Sequence, residues 1–134
     1  MRYSIVIPTL NAEKQIVSLL ETLWAQSLPP TQILVVDSQS DDATVKRARS
    51  VPGVCVETIR RQDFDHGGTR DEALRRCDAD VVVFMTQDAM PVNRDCMKNL
   101  LAPFDNPRVA AVGGRQTAYP NARPFERLIR ANNY

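Results

Sequence analysis

The sequence predicts an α/β fold built on a doubly wound, mostly parallel sheet. The apolar runs Ile5-Val6-Ile7, Ile33-Leu34-Val35-Val36 and Val81-Val82-Val83-Phe84 are short and continuous. That is the signature of parallel strands covered on both faces. Between the runs, apolar residues recur at helical spacing. The resulting order, β-α-β-α-β-α-β-α-β-α, calls for right-handed crossovers that wind helices onto the sheet. Two of the runs also lead to an aspartate, Asp37 and Asp88. In open α/β sheets, ligands bind outside the carboxyl ends of the strands.

The first strand covers Tyr3 to Ile7 and is expected to stop at Pro8. Asn11 is placed to cap a helix that continues to about Gln26, with Ile16, Leu19, Leu20, Leu23 and Trp24 as its core stripe. Pro29-Pro30 ends that segment. The second strand is Gln32 to Asp37, and Ser40 or Asp41 can cap the helix that runs to about Ser50. Pro52-Gly53 precedes a third strand, Val54 to Ile59. A charged loop from Arg60 to Gly68 leads to a helix over Thr69 to Cys77. The fourth strand is Asp80 to Met85, followed after Asp88 by a helix from about Arg94 to Leu101. Val109-Ala110-Ala111-Val112 reads as a fifth strand and Pro124 to Asn132 as a last helix. The helix that closes the chain has no terminal signature, so a fragment of a longer protein is expected.

The totals narrow the function. A chain of 134 residues with 43% hydrophobic and 25% charged residues is one ordinary domain. Its 17 basic and 16 acidic residues leave a net charge of +1, which gives no global attraction to nucleic acid. Cys55, Cys77 and Cys96 are too few and too widely spaced for a disulfide framework or zinc ribbon, and are expected as buried thiols in a cytoplasmic protein. No apolar stretch approaches the roughly 20 residues that span a bilayer. A single histidine rules out a multi-histidine metal cluster within the chain.

The turn after the first strand, Pro8-Thr9-Leu10-Asn11, is neither G-x-G-x-x-G nor a P-loop. Four polar segments remain that a parallel sheet would gather at one edge: Thr9 and Asn11; Asp37, Ser38 and Ser40; His66, Gly67, Gly68 and Arg70; Gln87 and Asp88. Strand-end carboxylates accept hydrogen bonds from ribose or base, and arginine pairs with phosphate. A carboxylate facing a diphosphate needs a divalent cation between them, and magnesium or manganese suits such a site. Each of these residues also has a plain role open to it, in a turn, a cap or a solvated surface.

Ser4-Ile5-Val6-Ile7-Pro8-Thr9-Leu10-Asn11 and Val35-Val36-Asp37-Ser38-Gln39-Ser40-Asp41-Asp42-Ala43-Thr44 together resemble the nucleotide-binding half of family 2 glycosyltransferases, a Rossmann-like architecture called GT-A. Phe84-Met85-Thr86-Gln87-Asp88-Ala89 and Phe64-Asp65-His66-Gly67-Gly68-Thr69-Arg70 are similar to its rhamnosyltransferase-like branch. The likeness covers nearly the whole chain.

It implies that Pro8, Thr9 and Asn11 line a nucleotide pocket and that Asp37, with Ser38 beside it, meets base or ribose. Arg70 would lie near base or diphosphate. Thr86-Gln87-Asp88 would take the place of the D-x-D motif, with Asp88 as metal ligand. Thr86 departs from the family's first aspartate, Asp71 stands where asparagine is common, and Ala43 where glycine is common. The implied donor is a nucleotide-diphospho-sugar, dTDP-rhamnose by branch, and the implied acceptor a glycan or lipid-linked glycan. No residue after Asp88 reads as the catalytic base, so base and acceptor groove are expected outside this chain. A non-catalytic nucleotide-binding module and a nucleotidyltransferase are the alternatives. Apolar surface left open by a missing half could pair chains into a homo-oligomer.

Overall fold

The computed structural model describes residues 1–133. The chain divides into two compact units, Met1–Lys98 and Asn99–Tyr134. The first holds β1 (Tyr3–Thr9), α1 (Ile16–Trp24), β2 (Gln32–Asp37), α2 (Thr44–Ser50), β3 (Val54–Thr58), a 3-10 turn (Arg61–Asp63), α3 (Gly68–Arg75) and β4 (Val81–Phe84). Among the described residues the sheet has four strands in the order β3-β2-β1-β4, and every pair is parallel. The chain therefore steps outward from β1 to β2 and β3, then returns to the other side of β1 for β4. Right-handed crossovers put α1 and α2 on one face and α3 on the other. The direction reverses between β1 and β4, and that switch point opens a crevice at the strand ends.

Alternation along the strands builds both cores. Ile5, Ile7, Ile33 and Val35 are fully buried, as is the α1 stripe of Ile16, Leu19, Leu20 and Leu23. Each such side chain contributes about 1.5–3 kcal/mol relative to exposure. On the opposite face Val6, Leu34 and Val36 pack with Ala73 of α3.

Three expectations are corrected. Pro8 does not end β1, which runs through it to Thr9. Even-numbered residues of β1 turn their backbone groups toward β4, as Val6 does in accepting from Met85 N–H. The β1–β4 ladder ends at Val6 opposite Phe84, so the N–H that Pro8 lacks falls where no strand needs it. Residues 109–112 form no strand: Val109 N–H donates back to Asn106, and Ala110 and Ala111 are exposed. A strand exists by pairing, and among the described residues this run has no ladder partner. None of the three cysteines is buried as expected: Cys55 is exposed, because β3 is the sheet's edge, and Cys77 and Cys96 are half-buried; all three thiols are free.

In the second unit the end of α4 (Cys96–Leu101) leads into a 3-10 turn, Ala102–Asp105, and then an irregular stretch. The last helix, α5 (Pro124–Asn133), leaves Phe125, Leu128 and Ile129 exposed on one face. Among the described residues no helix is long and apolar enough to cross a membrane.

Candidate donor site

The register sets Thr9, Asp37 and Thr58 side by side at the carboxyl ends of β1, β2 and β3. Asp37 is fully buried there. Its Oδ1 accepts from Thr9 Oγ1 at 2.9 Å and Ser40 Oγ at 2.5 Å, and its Oδ2 accepts from Ser40 N–H at 2.8 Å. The carboxylate thus ties the end of β1 to the loop after β2.

The two loops are laced along their length. Asn11 N–H donates to Ser40 Oγ, Ala12 N–H to Thr44 Oγ1, and Glu13 N–H to Asp42 Oδ2. In return Asp41 N–H donates to Asn11 Oδ1 and Ala43 N–H to Glu13 Oε2. Asn11 is therefore not the cap of α1. Its backbone is left-handed (φ 52°), and its side chain reaches the neighbouring loop. Neither Ser40 nor Asp41 caps α2: its N-cap is Ala43, without a side-chain cap, and Asp42 just before it accepts from the amide and hydroxyl of Thr44. Desolvation opposes ionisation of Asp42, but the Thr44 and Glu13 hydrogen bonds outweigh it and hold its carboxyl below the ordinary value. These amides are spent on the scaffold, so they are not a phosphate cradle.

A cavity of about 260 Å³ opens beside this lacing, at the switch point. Pro8, Thr9 and Leu10 form its β1 side, Ser38 its β2 side, and Thr86 and Gln87 its β4 side. Arg61, Phe64, His66 and Arg70 close it from the loop before α3 and from that helix's first turn. Gln87 bridges the crevice: its Oε1 accepts from Leu10 N–H at 2.8 Å and its Nε2 donates to Leu10 O at 3.0 Å. Arg70 Nη1 donates to His66 O at 2.8 Å, while the His66 ring meets Phe64 edge-on with centroids 4.9 Å apart. Asp65 accepts from Gly68 N–H, and a Cβ at Gly68 would fall 2.8 Å from that carboxylate, so a larger residue at this helix start would push the Asp65 side chain off its amide.

Of the residues singled out from sequence, Pro8, Thr9, Ser38, His66, Arg70 and Gln87 line the cavity. Asn11 and Asp37 stand behind its wall, in the lacing. Asp88 is exposed in the turn that Ala89 N–H closes onto Thr86 O, one residue from the cavity wall. Sequence reasoning missed Arg61. The signal was a second arginine in the charged loop, but its reach to Ser38, Gln39 and Asp41 is a property of the fold.

Among the described residues no three of His, Cys, Asp and Glu cluster as a metal cage. One exposed carboxylate at the strand end fits a hard cation that keeps waters and takes its other ligands from phosphate. It does not fit a cation held by protein alone.

The model of a known family, Glycosyl transferase family 2, matches residues 4–133. The chain belongs to that family. It is 38% identical to the O-antigen chain rhamnosyltransferase RfbN of Salmonella typhimurium, over 100% of this chain and 43% of that protein. The chain thus spans less than half the length of this curated relative. The mannosyltransferase PcManGT of Pyrobaculum calidifontis, solved with GDP-Man and Mn2+, superposes with a TM-score of 0.69 at 25% identity, over 81% of this chain and 33% of that one. TarS of Staphylococcus aureus, solved with UDP-GlcNAc, superposes with a TM-score of 0.66 at 27% identity, over 90% of this chain and 39% of that one. The expected GT-A architecture and the rhamnosyltransferase-like branch are both borne out.

Proposed function

We propose that the chain is the donor-binding part of an inverting glycosyltransferase, acting on a nucleotide-diphospho-sugar. The observation that carries this is the switch-point cavity, where three strand-end loops meet two guanidinium groups, Arg61 and Arg70. Ser38 offers a hydroxyl to the nucleoside, and Thr9, its own hydroxyl held by Asp37, shapes the wall beside it. Arg70, at the start of α3, faces the diphosphate, with the helix's N-terminal dipole adding to its charge. Gln87 fixes the spacing between the β1 and β4 loops, so both present their residues at a set distance. Asp88 would hold Mg2+ or Mn2+, which when bound offsets the charge on a departing diphosphate. The acceptor hydroxyl attacks from the opposite face and needs a general base, which this reading puts outside the chain.

Likeness to RfbN supports rhamnose as the sugar and a glycan or lipid-linked glycan as acceptor. Such a donor sets the reaction in the cytoplasm, at the membrane's inner face for a lipid-linked acceptor. Calorimetry with UDP, dTDP and GDP, with and without Mn2+, tests the reading. At least one nucleotide should bind, more tightly with Mn2+, and Asp88→Asn should remove the Mn2+ increment while leaving metal-free binding intact. No heat from any of the three at millimolar ligand would overturn it.

A further inference from the structure

We infer that Arg61 is a positioning residue that sets the β2-side wall of the donor cavity, acting through backbone carbonyls of the neighbouring loop. The inference rests on the donor-site reading and assigns a role to a side chain that the motifs do not mark. Ser38 lines the cavity, and the residue after it, Gln39, is left-handed (φ 53°). Such a backbone is uncommon for a side chain larger than glycine and has to be held by its surroundings.

Arg61 holds it. Its Nη2 donates to Gln39 O at 2.7 Å and to Asp41 Oδ2 at 2.7 Å, its Nε lies 3.5 Å from Ser38 O, and its own N–H donates to Gln39 Oε1 at 3.1 Å. From the other side Ser38 N–H donates to Thr9 O at 2.9 Å. Ser38 is thereby fixed between β1 and the loop before α3. A planar fork suits this geometry and an ammonium does not: guanidinium reaches a carbonyl and a carboxylate at once in fixed directions, whereas lysine offers one rotating point charge. The Asp41 ion pair is nearly open to solvent, with the two side chains 48% and 74% exposed, so its own contribution is small. The carbonyl contacts carry the positioning.

Calorimetry with whichever of UDP, dTDP or GDP the native chain binds provides the first test. Arg61→Ala should weaken binding by about tenfold, the scale of losing hydrogen bonds made by a charged donor. Arg61→Lys should not restore it, and Asp41→Asn should stay within about twofold of the native chain. A native-like affinity in Arg61→Ala or in Arg61→Lys overturns the inference, as does a loss in Asp41→Asn equal to that in Arg61→Ala. A nucleotide-free readout separates failure of this inference from failure of the donor-site reading. In Arg61→Ala the Ser40 and Asp41 amides, held by Asp37 and Asn11, should exchange hydrogen faster while the β1 and β2 amides stay protected. Unchanged exchange at Ser40 and Asp41 sinks the inference whether or not any nucleotide binds. Faster exchange with no nucleotide bound by the native chain leaves Arg61 a strut of the fold and removes its role in binding.

Discussion

Asp37 and Asp88, alike in sequence as strand-end acids, differ in structure because the strands they follow end at different heights. β2 keeps its register to Asp37, opposite Thr9, whereas β4 pairs with β1 only as far as Phe84 opposite Val6. Asp37 is consequently enclosed by Thr9 and Ser40, and Asp88 is carried into an exposed turn. Substituting Asp37→Ala leaves the buried Thr9 hydroxyl and the half-buried Ser40 amide without their acceptor. Stability should fall by about 2–4 kcal/mol, the cost of orphaned buried donors, measured by urea denaturation. A loss under about 1 kcal/mol would mean that water reaches the gap and the carboxylate is not what ties the loops together. Nucleotide affinity should fall with it, since Thr9 and Ser38 lose their anchor.

At the scale of elements, β1 joins the sheet's centre to the connection that precedes β2. Tyr3, 1% exposed, donates its hydroxyl to Leu28 O at 2.5 Å. Burial pushes its phenol up to about 12. A group whose folded value is raised stabilises the fold fully below its unfolded value of about 10, and that contribution is lost as pH climbs toward 12. The shift corresponds to about 2–3 kcal/mol. Tyr3→Phe should be less stable by about 1 kcal/mol at neutral pH, having lost one hydrogen bond. It should also lose less stability than the native chain between pH 10 and 12. Parallel alkaline limbs for the two proteins would show that the phenol ionises freely in the fold.

What sequence made legible follows the same line. Among the described residues all four strands and five helices are readable, because buried strands are continuous apolar runs and the helices carry period or cap signals. The reading failed where the outcome depends on neighbours. Pro8 sits inside a central strand only because β4 ends early. The run at 109–112 lacks a partner. Asn11 has the local pattern of a cap, yet its acceptor serves Asp41, 30 residues away in sequence. Candidate-site residues were legible where motif and cavity coincide, as at Thr9, Ser38, Arg70 and Gln87. Arg61 was not, since nothing local says which loop its guanidinium reaches.

Across the whole molecule, burial is unequal between the two units. Nearly all fully buried side chains belong to Met1–Lys98, in the sheet and α1. In Asn99–Tyr134, residues 109–119 hold no helix or strand, and α5 exposes Phe125, Leu128 and Ile129. Few buried apolar contacts mean local opening at low free energy, and irregular exposed backbone is where proteases cut first. Brief trypsin treatment should therefore cleave after Arg115, or after Arg108 in the turn before it, ahead of Arg47 and Arg49 on α2. The fragment ending at Arg115 keeps all four strands and should melt within a few degrees of the uncut chain. First cleavage within α2 would show that the α1–α2 face opens more readily than the irregular stretch, and a fragment that melts far lower would make the second unit part of the same cooperative fold. Either result would also bear on the switch-point cavity, whose lining residues all lie between Pro8 and Gln87. If the first unit holds its melting temperature alone, the cavity's geometry is set by the sheet and its lacing, and the cut protein should bind nucleotide as the uncut chain does.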